Sequence, residues 1–146
     1  NTIIIMTSNL GSDLILESVP GQEKQLGEKL DALLKSHFRP EFLNRIDETV
    51  MFSRLGKEHV EKIAALQLDR VAKRLEDRRM TIEFDDSALS FIAEKGYDPG
   101  FGARPVKRAV QTWVENPLSK QLLEGKFGEG SHIKVTEEGG VLKMYC

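Results

Sequence analysis

Residues 96–110 read GYDPGFGARPVKRAV, a glycine-rich loop that runs directly into a helix. Pro105 falls in the first helical turn, where its missing N–H costs nothing. On a 3.6-residue period, one helix face is apolar and consists of Val106, Ala109, Val110, Trp113 and Val114. The opposite face is mostly cationic and carries Arg104, Lys107, Arg108, Gln111 and Glu115. Two interpretations are open: a solvated charged face on a packed helix, or a phosphate site where the loop meets the helix.

Composition restricts the classes of function. The chain has 146 residues, 30% of them charged, and a formal net charge of only −2. Because acidic and basic residues are mixed, no overall field favours nucleic acid or a membrane surface, and we expect neither as a partner. The single cysteine, Cys146, excludes an internal disulfide, and no Cys/His spacing indicates a metal site. No apolar run approaches the ~20 residues of a membrane-spanning helix.

The first segment predicts a strand that is buried on both faces. Thr2–Thr7 is apolar or β-branched at every position, which is typical of a parallel strand covered by helices. Only one other short strand candidate, Glu48–Phe52, lies nearby, and two strands make a marginal sheet. We therefore expect further strands upstream and interpret the chain as a fragment of a longer protein.

Asn9 follows the first predicted strand in a polar turn. The carboxyl edge of an open parallel sheet is where ligands bind, and an amide there can orient a water or a phosphate oxygen. The alternative is a turn asparagine that hydrogen-bonds its own backbone. The sequence alone leaves both interpretations of Asn9 open.

The remaining patterns predict an α+β chain in two parts. Residues 1–53 form the end of an α/β unit, and residues 54–146 form a unit with its own helices and a three-stranded sheet. Helices are predicted at Gln22–Phe38, Lys57–Arg79 and Ser87–Lys95. A further helix has Pro105 in its first turn, and another begins at Asn116–Pro117. Strands are predicted at Met80–Phe84, Ser131–Thr136 and Val141–Tyr145, the last two as a hairpin.

Arg45 stands in the run FRPEFLNRID, residues 38–47, after a short turn that Pro40 opens. Next to Asp47, it is either half of a local surface ion pair, which would contribute little, or a functional cation. Several familiar motifs are absent: there is no G-x-x-x-x-G-K-[ST] loop and no apolar strand ending in paired acids for magnesium. No Ser/His/Asp set has a plausible spacing for nucleophilic catalysis.

Three motifs in this order resemble the C-terminal portion of the second ATPase module of Clp-type AAA+ unfoldases. They are the buried strand ending in Thr7-Ser8-Asn9, the run 38–47, and the Gly102-Ala103-Arg104-Pro105 turn. The sequences RAVQ at 108–111 and ENPL at 115–118 are closest to the ClpB disaggregases. The resemblance covers almost the whole chain. It implies an AAA+ large-subdomain fragment followed by a complete small subdomain.

The resemblance implies a role for each candidate site residue. Asn9 matches the sensor-1 residue, which lies near the γ-phosphate and the attacking water. Arg45 matches the arginine finger, which reaches the nucleotide of the neighbouring subunit. Arg104 matches the sensor-2 arginine, which contacts the phosphates of its own subunit's nucleotide.

The resemblance also implies a parent protein. It would be a cytoplasmic, hexameric stress-response ATPase that uses ATP and Mg²⁺ to thread unfolded or aggregated polypeptide through a central pore. A mitochondrial or plastid location is the alternative. The phosphate-binding loop, the magnesium-binding acids and a coiled-coil domain that meets a DnaK-type chaperone would lie upstream. We therefore expect the fragment alone to be inactive, with no tightly bound nucleotide and no metal site.

Two alternatives to the disaggregase follow from the same residues. One is a ClpA- or ClpC-like unfoldase that feeds a protease. The other is a non-enzymatic oligomerisation domain formed by residues 54–146, for which Arg104 would have no effect on ATP turnover.

Overall fold

A computed structural model describes all 146 residues, which divide into two compact units, Asn1–Arg54 and Leu55–Cys146. The first unit contains α1 (Ser12–Glu17), α2 (Glu23–His37) and α3 (Pro40–Leu43). The second contains α4 (Lys57–Glu76), β1 (Thr81–Phe84), α5 (Asp86–Lys95), α6 (Arg104–Val110), α7 (Asn116–Leu123), β2 (His132–Glu138) and β3 (Val141–Tyr145). The chain therefore mixes helix and strand, as expected.

The strands expected at Thr2–Thr7 and Glu48–Phe52 are not present, and neither segment has regular secondary structure. Ile3 and Ile5 are 90% and 86% exposed, so their side chains have no apolar cover. The reason is that a strand must share its backbone N–H and C=O groups with a neighbour, and the first unit contains no strand to pair with. Both strand predictions are wrong for this structure.

The helices of the first unit pack loosely. The helix predicted at Gln22–Phe38 is confirmed as α2, and Arg39-Pro40 ends it, since the residue before proline avoids the helical region. Gly11 takes a left-handed φ of 78° at the start of α1, where a side chain would collide with Leu30. No residue of α1, α2 or α3 is fully buried, so this unit has no closed core of its own.

The predicted three-stranded sheet is confirmed in the second unit. β2 lies in the centre, parallel to β1 and antiparallel to β3. Ile133 pairs with Ile82, and Val135 lies between Phe84 and Met144. Because side chains alternate across a strand, these apolar residues share the face that packs on the helices.

One apolar cluster holds the second unit together. The stripe on α4 consists of Val60, Ala64, Leu68, Val71 and Leu75, all buried. It meets Ile92 of α5, Val114 and Ile133, each of which is completely inaccessible to solvent. α4 ends at Glu76, three residues before the predicted end. Arg79 takes a left-handed φ of 57°, and the Met80 N–H donates to the Leu75 carbonyl at 3.0 Å, closing the helix end.

The helix predicted to start at Asn116–Pro117 is confirmed as α7, but α6 runs into it without a break, so no separate restart is needed. Residues Gln111–Glu115 form a π-helical turn in which the Asn116 N–H donates to the Gln111 carbonyl. Pro117 has no N–H to offer the Trp113 carbonyl one turn back, and the wider turn lets the helix continue past the proline. The apolar face predicted for this region is confirmed: Val106, Ala109, Val110 and Val114 are buried.

Asp85 caps α5 and ties the helix to the sheet. Its Oδ1 accepts hydrogen bonds from the Ala88 N–H at 2.8 Å and the Ser87 hydroxyl at 2.6 Å. Ser87 Oγ in turn accepts from the Glu137 N–H of β2 at 2.9 Å. Hydrogen bonds from Ser87, then from Thr136 and the Ala88 N–H, lower the pKa of Asp85 below its ordinary value of 3.8. Asp85 is therefore the N-cap residue of α5.

Asp85→Ala should lower the free energy of unfolding by about 1 kcal/mol at neutral pH, the usual effect of losing an N-cap. Because folding depresses the carboxyl pKa, the charge-dependent part of this difference is present above pH 3.8 and is lost as pH falls through the folded value. Urea unfolding of the chain and the variant at several pH values measures it. A difference that grows on acidification would contradict the assignment.

Candidate functional site

The loop Gly96–Ala103 is held by hydrogen bonds that it makes to itself. Asp98 Oδ1 accepts from the Gly100 N–H at 2.7 Å and from the Phe101 N–H at 3.0 Å. The main chains of Asp98 and Gly102 exchange two further bonds: the Gly102 N–H donates at 2.7 Å and the Asp98 N–H at 3.2 Å. Four hydrogen bonds within five residues therefore close this loop.

Glycine is required at two points of the loop. A Cβ on Gly96 would lie 2.7 Å from Val106 Cα and 2.8 Å from Val106 Cγ2, so the end of α5 touches the backbone of α6. Gly102 has a φ of 62°, the left-handed region that favours glycine. The first glycine fixes how closely the two helices approach, and the second lets the chain turn into α6.

Arg104 is the first residue of α6, and its side chain is exposed. Its N–H donates to the Phe101 carbonyl at 3.3 Å, while its guanidinium makes no hydrogen bond or ion pair within the chain. Lys107 and Arg108 are also exposed and unpaired. By contrast, Arg74 and Arg79 form ion pairs with Glu115 and Glu129 at 2.9 and 2.8 Å. Of the charged side chains on this face, Arg104, Lys107 and Arg108 therefore have no ion-pair partner in the chain.

Asn9 and Arg45 both lie in the first unit. The Asn9 carbonyl accepts from the Ser12 N–H at 3.2 Å and the Ser12 hydroxyl at 2.6 Å, but its side-chain amide is exposed without a partner. Arg45 follows α3, and its N–H donates to the Phe42 carbonyl at 3.1 Å. Its exposed guanidinium makes no ion pair with Asp47, so the local surface pair considered from the sequence is not formed. No hydrogen bond joins Asn9 to Arg45.

Sequence reasoning assigned no role to Asp98, although it lies within the decisive stretch. The signal was present: an aspartate followed by Pro-Gly favours a turn in which its carboxylate accepts backbone N–H groups. One concavity of the second unit is an open groove of about 320 Å³ beside α4 and β1, lined by Ala65, Leu68, Ala72, Phe84 and Leu89 among others. It includes none of the three candidate residues.

No group of three or more His, Cys, Asp or Glu side chains is arranged to hold a metal ion. No helix is both long enough and apolar enough to cross a membrane.

Two protein-family models match the chain in succession. Residues 1–49 match the AAA domain of the Cdc48 subfamily. Residues 55–135, more than half of the chain, match the C-terminal, D2-small domain of ClpB protein. The chain belongs to the ClpB family. The resemblance read from the sequence is thereby confirmed, as is the fold: a short AAA+ segment followed by a D2-small domain.

Curated relatives agree with this family. The chain is 44% identical over 143 residues to the chaperone protein ClpB of Rhodopseudomonas palustris, covering 97% of this chain. It is 50% identical over 141 residues to that of Vibrio cholerae, covering 96% of this chain. With the protein of Meiothermus ruber the identity is 49% over 137 residues, or 92% of this chain. In each case the match spans only 16% of the relative's length.

Gly96→Ala should destabilise the second unit by about 1–3 kcal/mol, because the new methyl group must push the α6 backbone away. Gly128→Ala is the matched control, since nothing lies within 4 Å of the position of its Cβ. Fluorescence of Trp113, the only tryptophan, reports on urea unfolding because its ring lies 5.2 Å from that of Phe91 in the core. Equal stability of the two variants would show that the close approach of α5 and α6 carries no constraint.

Proposed function

We propose that this chain supplies part of the second nucleotide site of an ATP-driven, ring-forming protein disaggregase. The observation that carries the proposal is the succession of an AAA+ match and a ClpB D2-small match on one chain. Together they cover Asn9, Arg45 and Arg104. The proposed roles are sensor 1 for Asn9, arginine finger for Arg45 and sensor 2 for Arg104.

The chemistry of Arg104 fits a nucleotide phosphate. Phosphoryl transfer needs stabilisation of charge on the phosphate oxygens more than covalent help. A guanidinium offers planar, bidentate donors to such oxygens and stays charged at any relevant pH. The Arg104 guanidinium has no partner within its unit, so an anion would not have to displace an existing ion pair.

Arg45 is suited to act on a nucleotide held by another subunit. It follows the short helix α3, and its main chain is fixed by the Phe42 carbonyl while its guanidinium stays unpaired. An arginine supplied in trans stabilises charge that develops as the γ-phosphoryl group leaves. This role predicts a loss of turnover without a comparable loss of nucleotide binding.

Asn9 is suited to orient a neutral group. Its main-chain carbonyl anchors the turn through Ser12, which leaves the side-chain amide available as both donor and acceptor. The amide oxygen can hold the attacking water by accepting a hydrogen bond from it, and the amide NH₂ can donate a hydrogen bond to a phosphate oxygen.

The chain has a residue that could contact ATP, but it has no set of ligands for Mg²⁺. ATP supplies the phosphoryl group when it is bound, and Arg104 is the residue of the second unit that would contact its phosphates. For Mg²⁺ the chain offers no cluster of acidic side chains that could serve as ligands. The ligands of Mg²⁺ would be carboxylates and phosphate oxygens outside this chain.

The partners of the whole protein are part of the same proposal. We propose a homo-hexamer that acts on unfolded or aggregated polypeptide with a DnaK-type chaperone in the bacterial cytoplasm. The relatives are bacterial proteins named chaperone protein ClpB, which supports this assignment. The nearly even charge balance of the chain offers no broad field for nucleic acid or membranes.

Arg45→Ala in the full-length protein should lower ATP turnover by about 10³-fold or more, the usual contribution of an arginine finger. Nucleotide affinity should change little. Arg39→Ala is the matched control, because Arg39 is also exposed and lies at the other end of α3. Steady-state ATPase assays and nucleotide titration measure the two effects. A loss of binding with intact turnover per bound ATP would refute the trans-acting role.

Isothermal titration of the 146-residue chain with ATP and Mg²⁺ should show no binding tighter than about 1 mM, some −4 kcal/mol. The reason is that one arginine and one amide cannot replace a phosphate-binding loop, which the sequence does not contain. Micromolar affinity would mean that the chain holds a complete nucleotide site.

A further inference from the structure

We infer that Asp98 is a positioning residue that sets where Arg104 stands for ATP hydrolysis. The inference rests on the proposed function, in which Arg104 contacts nucleotide phosphates. Arg104 would contact the nucleotide, and Asp98 would hold Arg104 in place.

The Asp98 carboxylate makes side-chain hydrogen bonds only within its own loop. Its Oδ1 receives the N–H groups of Gly100 and Phe101 at 2.7 and 3.0 Å. It forms no ion pair with Arg104 or with any other cation. Asp98 therefore acts on the backbone of residues 100–101, and no direct electrostatic contact links it to the arginine.

The braced backbone leads directly to Arg104. The paired main chains of Asp98 and Gly102 fix the end of the loop two residues before the arginine. Phe101, whose N–H bonds to Asp98, offers its carbonyl to the Arg104 N–H at 3.3 Å. A continuous chain of hydrogen bonds thus runs from the Asp98 carboxylate to the Arg104 main chain.

This connection matters because Arg104 has no other restraint at its polar end. Its guanidinium is unpaired, so the location of the side chain depends on its Cα and on the start of α6. A displacement of about 1 Å at a group that stabilises a transition state can cost about a hundredfold in rate. Without the hydrogen bonds to Asp98, Arg104 would occupy a wider range of positions while keeping its charge.

Substitutions of Asp98 separate geometry from charge. Asparagine keeps an Oδ1 acceptor at the same distance but has no charge, whereas glutamate keeps the charge and moves the acceptor outward by one methylene. In the full-length protein, Asp98→Asn should retain turnover within about threefold of wild type, because asparagine forms the same turn. Asp98→Glu and Asp98→Ala should lower kcat by about tenfold or more through misplacement of Arg104. Glu94→Ala, which removes an exposed carboxylate of α5 without any side-chain partner, should change nothing.

The double variant Asp98→Ala/Arg104→Ala tests whether the two residues act as one unit. Its turnover should equal that of Arg104→Ala alone, since a brace has no further effect once the braced group is gone. A purely structural role for Asp98 would instead lower turnover further in the Arg104→Ala background. If Asp98→Ala does not fold, the comparison of the Asn and Glu variants decides.

Each outcome has a separate meaning. Wild-type turnover in Asp98→Ala or Asp98→Glu, with turnover lost in Arg104→Ala, overturns the inference and leaves the proposed function standing. Loss of turnover in Asp98→Asn with activity kept in Asp98→Glu shows that charge matters, and also overturns it. Unchanged turnover in Arg104→Ala refutes the sensor-2 role, and the inference about Asp98 with it.

Discussion

The second unit depends on the close approach of α5 and α6 at Gly96. With no Cβ at this position, the end of α5 lies against Val106 Cα, at a distance that no side chain could share. This contact seals the core around Val106, which is 1% exposed, and it also sets the span that the loop 97–103 must bridge. The close contact of α5 with α6 therefore constrains both the core and the loop. Because the two helices lie so close together, the loop that joins them is short and is held by its own hydrogen bonds.

The two units differ in what stabilises them. In the second unit, residues such as Ile92, Val114 and Ile133 are fully buried, and each such side chain contributes about 1.5–3 kcal/mol relative to an exposed one. The first unit has no fully buried side chain in its helices, and α2 has only 15 residues, a length at which an isolated helix is marginal in water. Its apolar residues, among them Ile3–Ile5 and Phe52, give a physical reason for this unit to associate with further protein.

Sequence reasoning succeeded where one chain segment carries its own signal. The 3.6-residue stripes of α4 and α6, the Asp85 cap and the hairpin turn at Gly139–Gly140 depend on residues a few positions apart, and these features were predictable. It failed where the outcome depends on distant partners or on an unusual backbone. Thr2–Thr7 has a strong strand pattern but no partner strand, and Arg79 ends α4 in a conformation for which glycine is the usual signal. The helix start at Asn116–Pro117 was predictable, but the π-helical turn that joins it to α6 without a break was not.

The same distinction applies to the candidate site. The resemblance of three motifs to Clp-type AAA+ proteins pointed to Asn9, Arg45 and Arg104, whereas residue type alone left a structural alternative for each. The loop before Arg104 is held by hydrogen bonds from two backbone N–H groups to Asp98 Oδ1. Sequence spacing alone does not give those distances.

The structure also bears on whether the cationic face of α6 is a solvated charged surface or a phosphate site. A solvated charged face on a packed helix usually includes acids that balance its bases, as Glu115 and Glu129 do for Arg74 and Arg79. Arg104, Lys107 and Arg108 have no such partners, although the chain as a whole is slightly acidic. Of the three, only Arg104 follows a loop whose backbone is closed by four hydrogen bonds and a required glycine. Fixing the backbone while leaving the guanidinium free reduces the entropy lost on binding without occupying the donors. That combination suits a residue that must find an anion supplied from outside this unit, and it separates Arg104 from its cationic neighbours on the same helix.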